Sequence, residues 1–291
     1  KLSVGALPTR EEEIGVSVDF EGAPEGALLN YVSWSPDGTK IAFTTRSSGE
    51  PGQPERGPLT LWIACAKTLQ CRVLLPDRGL NTIFESYSWL NDETIVANCI
   101  PENRPKEAPK RPQTPFGPRV QTNRGGNVAQ ARTYADLLKD SHDADLFDYY
   151  CKSELVAVNV NDGSTKPWGD ATPKIHTRVD PSPDGKFVIV ETIQRPYSYS
   201  VPCGRFPKKV WVAKSNGDVV REVADLPLAE NIPIVHNATR QGPRAVNWRS
   251  DKDASLYWTE AQDEGDPRND VSPRDVTYSV DMSVDPSATP K

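Results

Sequence analysis

The chain has 291 residues, 25% of them charged, with a formal net charge of −6, 27 prolines and 19 glycines. Length allows one large domain or two average ones. The negative balance removes any electrostatic case for nucleic acid or an anionic membrane, and no apolar run reaches the ~20 residues of a membrane span.

Residues 1–27 carry few strand signals and an acidic Glu11-Glu12-Glu13, and read as a lead-in segment. Lys in place of Met at position 1 points to a processed or trimmed terminus. The first clear element is Tyr31-Val32-Ser33-Trp34-Ser35-Pro36-Asp37-Gly38, followed by Ile41-Ala42-Phe43-Thr44. Val32 and Trp34 alternate with polar neighbours, the period of a half-buried strand. Pro36 presets φ at the first central turn position, and Gly38 takes angles that a side chain resists. A Gly/Pro-rich loop leads to a third strand at Leu59–Ala66 and a fourth at Arg72–Leu75. Cys65 and Cys71 flank the turn between them, across a predicted hairpin, and read as a pair of buried thiols rather than a regulatory disulfide. The five cysteines form an odd count, so at least one is free or paired with another chain. A reducing compartment suits that usage.

The pattern then repeats. Tyr87-Ser88-Trp89-Leu90 is followed by an Asn91-Asp92-Glu93 turn and by Thr94–Ala97, and its outer strands are delayed to Glu154–Val160 and Thr165–Trp168. Arg178–Pro183, Asp184-Gly185 and Lys186–Val190 open a third copy, with Lys209–Ala213 and a Ser215–Asp218 hairpin turn. Arg244–Asp251, Ser255–Thr259 and Asp275–Val280 make a fourth, without a convincing fourth strand. Repeats of about four short strands every ~40–50 residues are the signature of β-propeller blades. The expected class is therefore all-β: a partial β-propeller of about four four-stranded blades, near residues 28–80, 81–170, 171–230 and 240–282. The second blade carries a Pro-rich insertion, residues 101–150, and a short helix.

In that insertion, Pro101–Arg132 holds six prolines, seven Lys or Arg and two acids. Proline at this density opposes helix and ladder alike and reads as an extended loop. Thr133-x-x-Asp136 resembles a capping box, so a helix is expected from Thr133, with Tyr134, Leu137 and Leu138 on one face. His142 then falls on a solvated face.

No Gly-x-Ser-x-Gly elbow, phosphate loop or His-Glu-x-x-His pair is present. No catalytic residue, metal site or cofactor is assigned. His176 and His236 read as structural or surface residues, and Asp263-Glu264-Gly265-Asp266 as a solvated loop. The most unusual polar stretch is Arg195–Lys209, where Arg195, Arg205, Lys208 and Lys209 stand among three aromatics. These four cations are the candidate contacts for an acidic substrate.

Several blocks resemble the propeller region of the plant and algal chloroplast glutamyl endopeptidases, members of the prolyl-oligopeptidase-like serine peptidases. They are Trp34–Gly38, Asp136–Asp140, Asp143–Tyr150, Arg195–Ser198, Val201–Val210, Asp225–Pro233, Trp248–Lys252 and Val271–Asp275. The resemblance implies an amino-terminal propeller that screens access to an α/β-hydrolase domain carrying Ser, Asp and His, with cleavage after Glu. No residue here matches that triad. It also implies the chloroplast stroma, and peptide substrates met through a catalytic domain outside this chain. The alternative is a non-catalytic relative, a scaffold or subunit for protein partners in a plastid complex. Neither reading involves nucleic acid or membrane insertion.

Overall fold

The computed structural model describes residues 21–22, 28–46, 59–112 and 134–291. Four antiparallel sheets follow one another along the chain, each with its strands in sequence order. The first blade is β1 (Leu28–Trp34), β2 (Lys40–Arg46), β3 (Thr60–Cys65) and β4 (Cys71–Val73). The second is β5 (Tyr87–Asn91), β6 (Thr94–Cys99), β7 (Glu154–Asn159) and β8 (Thr165–Pro167), with helix α1 (Ser141–Cys151) inserted between β6 and β7. The third is β9 (Ile175–Pro181), β10 (Phe187–Ile193), β11 (Lys208–Lys214) and β12 (Val219–Leu226). The fourth has three strands, β13 (Arg244–Trp248), β14 (Ser255–Ala261) and β15 (Asp275–Asp281). Beyond them, Lys291 exchanges reciprocal backbone hydrogen bonds with Ser279 at 2.9 and 3.0 Å.

The two Ser-Pro-Asp-Gly turns are wired alike. In each, the glycine amide donates to the serine carbonyl, Ser35 O or Ser182 O. The serine hydroxyl donates to the aspartate, at 2.6 Å for Asp37 and 2.7 Å for Asp184. Gly38 and Gly185 have φ of +69° and +68°. The Ser35 hydroxyl, followed by donors from Thr39, holds the exposed Asp37 carboxyl down at about 2. The motif thus closes the hairpin with side-chain hydrogen bonds as well as with backbone angles.

Successive residues of a strand point to opposite faces, and both faces of the second and third blades meet neighbours. Ala42, Leu61 and Ile63 of the first blade pack on Ile95, Val156 and Val158 of the second. Val96, Leu155 and Ala157 pack on Val179, Val188 and Val190 of the third. Ile189, Val210 and Val212 then meet Val246, Leu256 and Trp258 of the fourth. No blade buries its apolar faces alone, so stability resides in these three seams.

Polar bonds cross each seam at its inner and outer ends. Trp89 Nε1 donates to Ser33 Oγ at 3.0 Å, and Trp248 Nε1 to the Asp180 carbonyl at 2.8 Å. At the outer end Arg72 donates to the carbonyls of Val160 and Asn161, Trp168 Nε1 to that of Ser215, and Arg221 to those of Pro286 and Ala288.

Four expectations need correction. Val32 and Trp34 are exposed, at 56% and 58%. Trp34 pairs with Ile41, as Trp89 pairs with Ile95 and Trp248 with Leu256. Trp89 and Trp248 face the preceding blade, and Trp34 occupies the corresponding face of the first blade, on which no described blade packs, whereas Ser33, opposite Ala42, faces the second blade. Alternation therefore marked a real face, but not the one that packs on the second blade. Cys65 and Cys71 do lie across a hairpin, yet Ala64 is the partner of Cys71. Cys65 therefore points to the other face and is exposed, with Cys71 only half-buried, so the two thiols are free but not a buried pair.

The helix begins at Ser141 rather than Thr133, a residue outside those described. Asp136 has φ +57°, and residues 134–140 are irregular. The effective cap is Asp140, whose carboxylate accepts the Asp143 amide at 3.0 Å, while Asp143 reaches back to the Lys139 amide at 2.8 Å. That reciprocal geometry is a stronger start signal than the Thr133 spacing. With the helix shifted, His142 is buried rather than solvated. Of the Pro-rich stretch, residues 101–112 carry no helix or strand, and residues 113–133 lie outside those described.

The fourth correction is the Asp263 loop. Asp263 is 1% exposed, its carboxylate accepting from the Gly265 amide at 2.9 Å and from Arg274 Nε.

Candidate functional site

Helix α1, the loop from Gln194 to Pro207 and the start of β9 meet at one end of the second and third blades. The loop is anchored by its aromatics. Tyr197 and Phe206 stack at 5.1 Å, and Phe147 of α1 meets both edge-on at 5.0 and 5.8 Å. Phe206 is fully buried, and Tyr197 donates to Asp148 Oδ1 at 2.6 Å. Burial, and then that carboxylate, push the Tyr197 phenol far above its ordinary range.

A cleft of about 340 Å³ opens beside this anchor, bounded by Asp148 of α1, Lys152 just past its end, Lys174, Arg195, Lys209 and Trp211. Each cation is compensated. Arg195 Nε donates to Asp148 and its Nη2 to Asp145, both at 2.9 Å. Lys209 Nζ lies 2.8 Å from Glu222 and 3.7 Å from Asp225. Lys174 pairs with Asp170 at 2.6 Å and stands 5.3 Å over the Trp211 ring.

The four cations singled out in the sequence do not converge. Arg195 and Lys209 share the cleft. Lys208, one residue away on the same strand, points to the opposite face and binds Glu191 at 2.6 Å. Arg205 lies 5.8 Å from the Tyr134 ring, and no carboxylate of a described residue pairs with it. The contribution of Lys174 and Trp211 was not visible in the sequence, because neither belongs to the loop.

Ser153 and His176 meet in the interior, with Oγ 3.0 Å from Nδ1 and exposures of 2% and 6%. Ser153 Oγ also lies 3.1 Å from Asn98 Oδ1, so the serine, the imidazole and the amide form one buried polar cluster. Both side chains are closed off from solvent, so a peptide carbonyl has no direct approach to the hydroxyl. Burial, with Lys174 second, lowers His176 to about 4. The unfolded imidazole therefore holds its proton in a range where the folded one does not. Stability should be full above pH 6.5 and decline as pH falls through 6.5 toward 4, by up to about 3 kcal/mol. Glu85, raised by burial, acts in the opposite sense. Comparing urea midpoints of wild type and His176→Gln between pH 4 and 7 isolates the imidazole, and parallel pH profiles would refute its role. No group of three metal-ligating residues forms among the described residues.

Comparison with known proteins adds to this geometry. A probable chloroplastic glutamyl endopeptidase of Oryza sativa subsp. japonica is 48% identical over 267 residues. That match covers 91% of this chain and 28% of the rice protein. The corresponding Arabidopsis thaliana protein is 45% identical over 274 residues, covering 93% of this chain and 27% of its own. The chain is thus a relative of the chloroplastic glutamyl endopeptidases. It spans little more than a quarter of the length of these glutamyl endopeptidases, and the resemblance read from the sequence blocks is borne out. No family model matches. Among solved structures, a prolyl endopeptidase superposes with a TM-score of 0.44 at 14% identity, over 91% of this chain and 27% of its own. The propeller domain of the trilobed protease from Pyrococcus furiosus does so with a TM-score of 0.40 at 10% identity, over 88% and 68%. The architecture itself rests on the sheet order and the three seams.

Proposed function

We propose that this chain is the propeller part of a plastid stromal glutamyl endopeptidase of the serine type. It screens peptides on their way to a catalytic α/β-hydrolase unit carried outside these residues. The observation that carries the reading is the 48% identity, across 91% of the chain, to a protein named a probable chloroplastic glutamyl endopeptidase. The only serine–histidine contact among the described residues, Ser153–His176, is buried away from solvent, which fits a part that screens rather than cuts.

In this reading Arg195, Arg205, Lys208 and Lys209 attract acidic peptides. Three of them are already neutralised by carboxylates, so Arg205 supplies most of the free field. In the longer polypeptide, Arg205→Glu should raise KM for Glu-containing peptides about two- to fivefold at low ionic strength, leave kcat unchanged, and lose its effect in high salt. An unchanged KM removes the cation's role. The isolated 291-residue chain should not hydrolyse such peptides, and turnover by it would overturn the assignment as a whole.

A further inference from the structure

Between β12 and β13 the chain folds back on itself around an open-mouthed cavity of about 520 Å³. Its walls are largely apolar, with Val223, Leu226, Leu228 and Ile232 among them. The volume lies within the range of small-molecule sites. Three wall residues are charged, Asp225, Glu264 and Arg240; Asp225 lies 3.7 Å from Lys209, and Arg240 is the only cation of the three.

Arg240 Nη2 donates to the carbonyls of Phe206 and Leu226, each at 3.1 Å, and to that of Pro227. Its Nε is buried without an acceptor. Nη1 donates to no described residue, and no carboxylate of a described residue lies within ion-pair distance. The one acid that acts on it electrostatically, Glu191, is held by Lys208 at 2.6 Å. Burial accordingly pushes the guanidinium below its usual range.

Three neutral carbonyls fix the position of this cation but leave its charge without a counter-ion. A partly desolvated charge in that state is costly, and a guanidinium with unused donors is well matched to a carboxylate. The apolar walls favour a hydrophobic body attached to that carboxylate. Glu264 stands exposed at the rim, its backbone carbonyl bound by Gln241 Nε2 at 3.0 Å, so a second anionic group on the ligand would be disfavoured there.

We propose that this cavity binds a monocarboxylate with an apolar body, such as the free carboxyl end of a short apolar peptide, with Arg240 supplying the counter-charge. The proposal does not depend on the endopeptidase reading above. Calorimetric titration of the 291-residue protein with N-acetyl-Leu-Leu as free acid, with its C-terminal amide and with octanoate tests it. The acid should bind at least about tenfold more tightly than the amide, since only the acid forms the charge-assisted bond. Tighter binding of the peptide acid than of octanoate assigns a peptide source, and the reverse assigns an aliphatic acid. Arg240→Gln should abolish the preference for acid over amide. Because Arg240 also ties three carbonyls, Ile232→Trp provides a second variant that fills the cavity and leaves the guanidinium in place, and it should block binding with the circular dichroism unchanged. Equal binding of acid and amide, no binding of either acid at about 10 mM, or undiminished binding to a folded Ile232→Trp protein would each overturn the proposal.

Discussion

Gly217→Ala should destabilise the protein by about 3–5 kcal/mol, well above the average cost of a point change. Gly217 has φ +95° in the turn between β11 and β12. A Cβ there would lie 2.3 Å from Gly169 N and 2.7 Å from Gly169 Cα. Both are backbone atoms of the neighbouring blade, just beyond β8, so no side chain can swing away. Relief requires the second and third blades to separate at their outer edge. That movement would break the Trp168–Ser215 bond and loosen the packing of Val179 and Val188 beneath it. Gly38→Ala is the control. Its φ is +69°, but nothing lies within 4 Å of the added methyl, leaving a local backbone cost of about 1–2 kcal/mol. Gly185 has the same turn and φ, yet its added Cβ would meet Leu90 O at 2.6 Å, so it should rank between the two. Urea denaturation read by tryptophan fluorescence orders the three. A Gly217→Ala midpoint equal to that of Gly38→Ala would show that the blades do not press on each other at this point.

The second large effect is expected at the Asp263–Arg274 pair. The Asp263 side chain is completely enclosed, while Arg274 is 30% exposed. The pair closes the long connection between β14 and β15, and Arg274 Nη2 also reaches the Asn237 carbonyl at 2.5 Å. Removing either charge leaves the other without compensation at a buried site, at a cost of about 3–5 kcal/mol. Asp263→Asn and Arg274→Met should each fall in that range. The double variant should recover a large part of the loss, because no lone charge remains. Additive losses in the double variant would mean that the two side chains act independently.

Much of the architecture was legible because its signals are local. A strand, a tight turn and a returning strand open each of the four blades, with Asp-Gly in the turn of the first and the third. What escaped reading depends on partners distant in sequence. Arg195 looked like a free cation, but Asp145 and Asp148, 50 and 47 residues earlier, neutralise it. Asp263 looked solvated because Arg274, 11 residues on, is hidden from any local window. Helix α1 was misplaced for the opposite reason. Two acidic capping patterns lie seven residues apart, and only the one at Asp140 is followed by residues whose buried side can dock on β9. The cleft was half visible: Arg195 and Lys209 were noticed, whereas Lys174 joins them only when β9 is laid beside β11 by way of β10.

The bonds that cross the seams have an optical consequence. Trp89 sits at the first junction, Trp168 and Trp211 at the second, and Trp248 at the third. Each junction therefore carries its own intrinsic fluorophore, most of them with the indole nitrogen engaged across it. Replacing the remaining tryptophans with phenylalanine would turn the protein into a set of site-resolved emitters. The order in which the wedges come apart could then be followed by wavelength and quenching, with no dye attached.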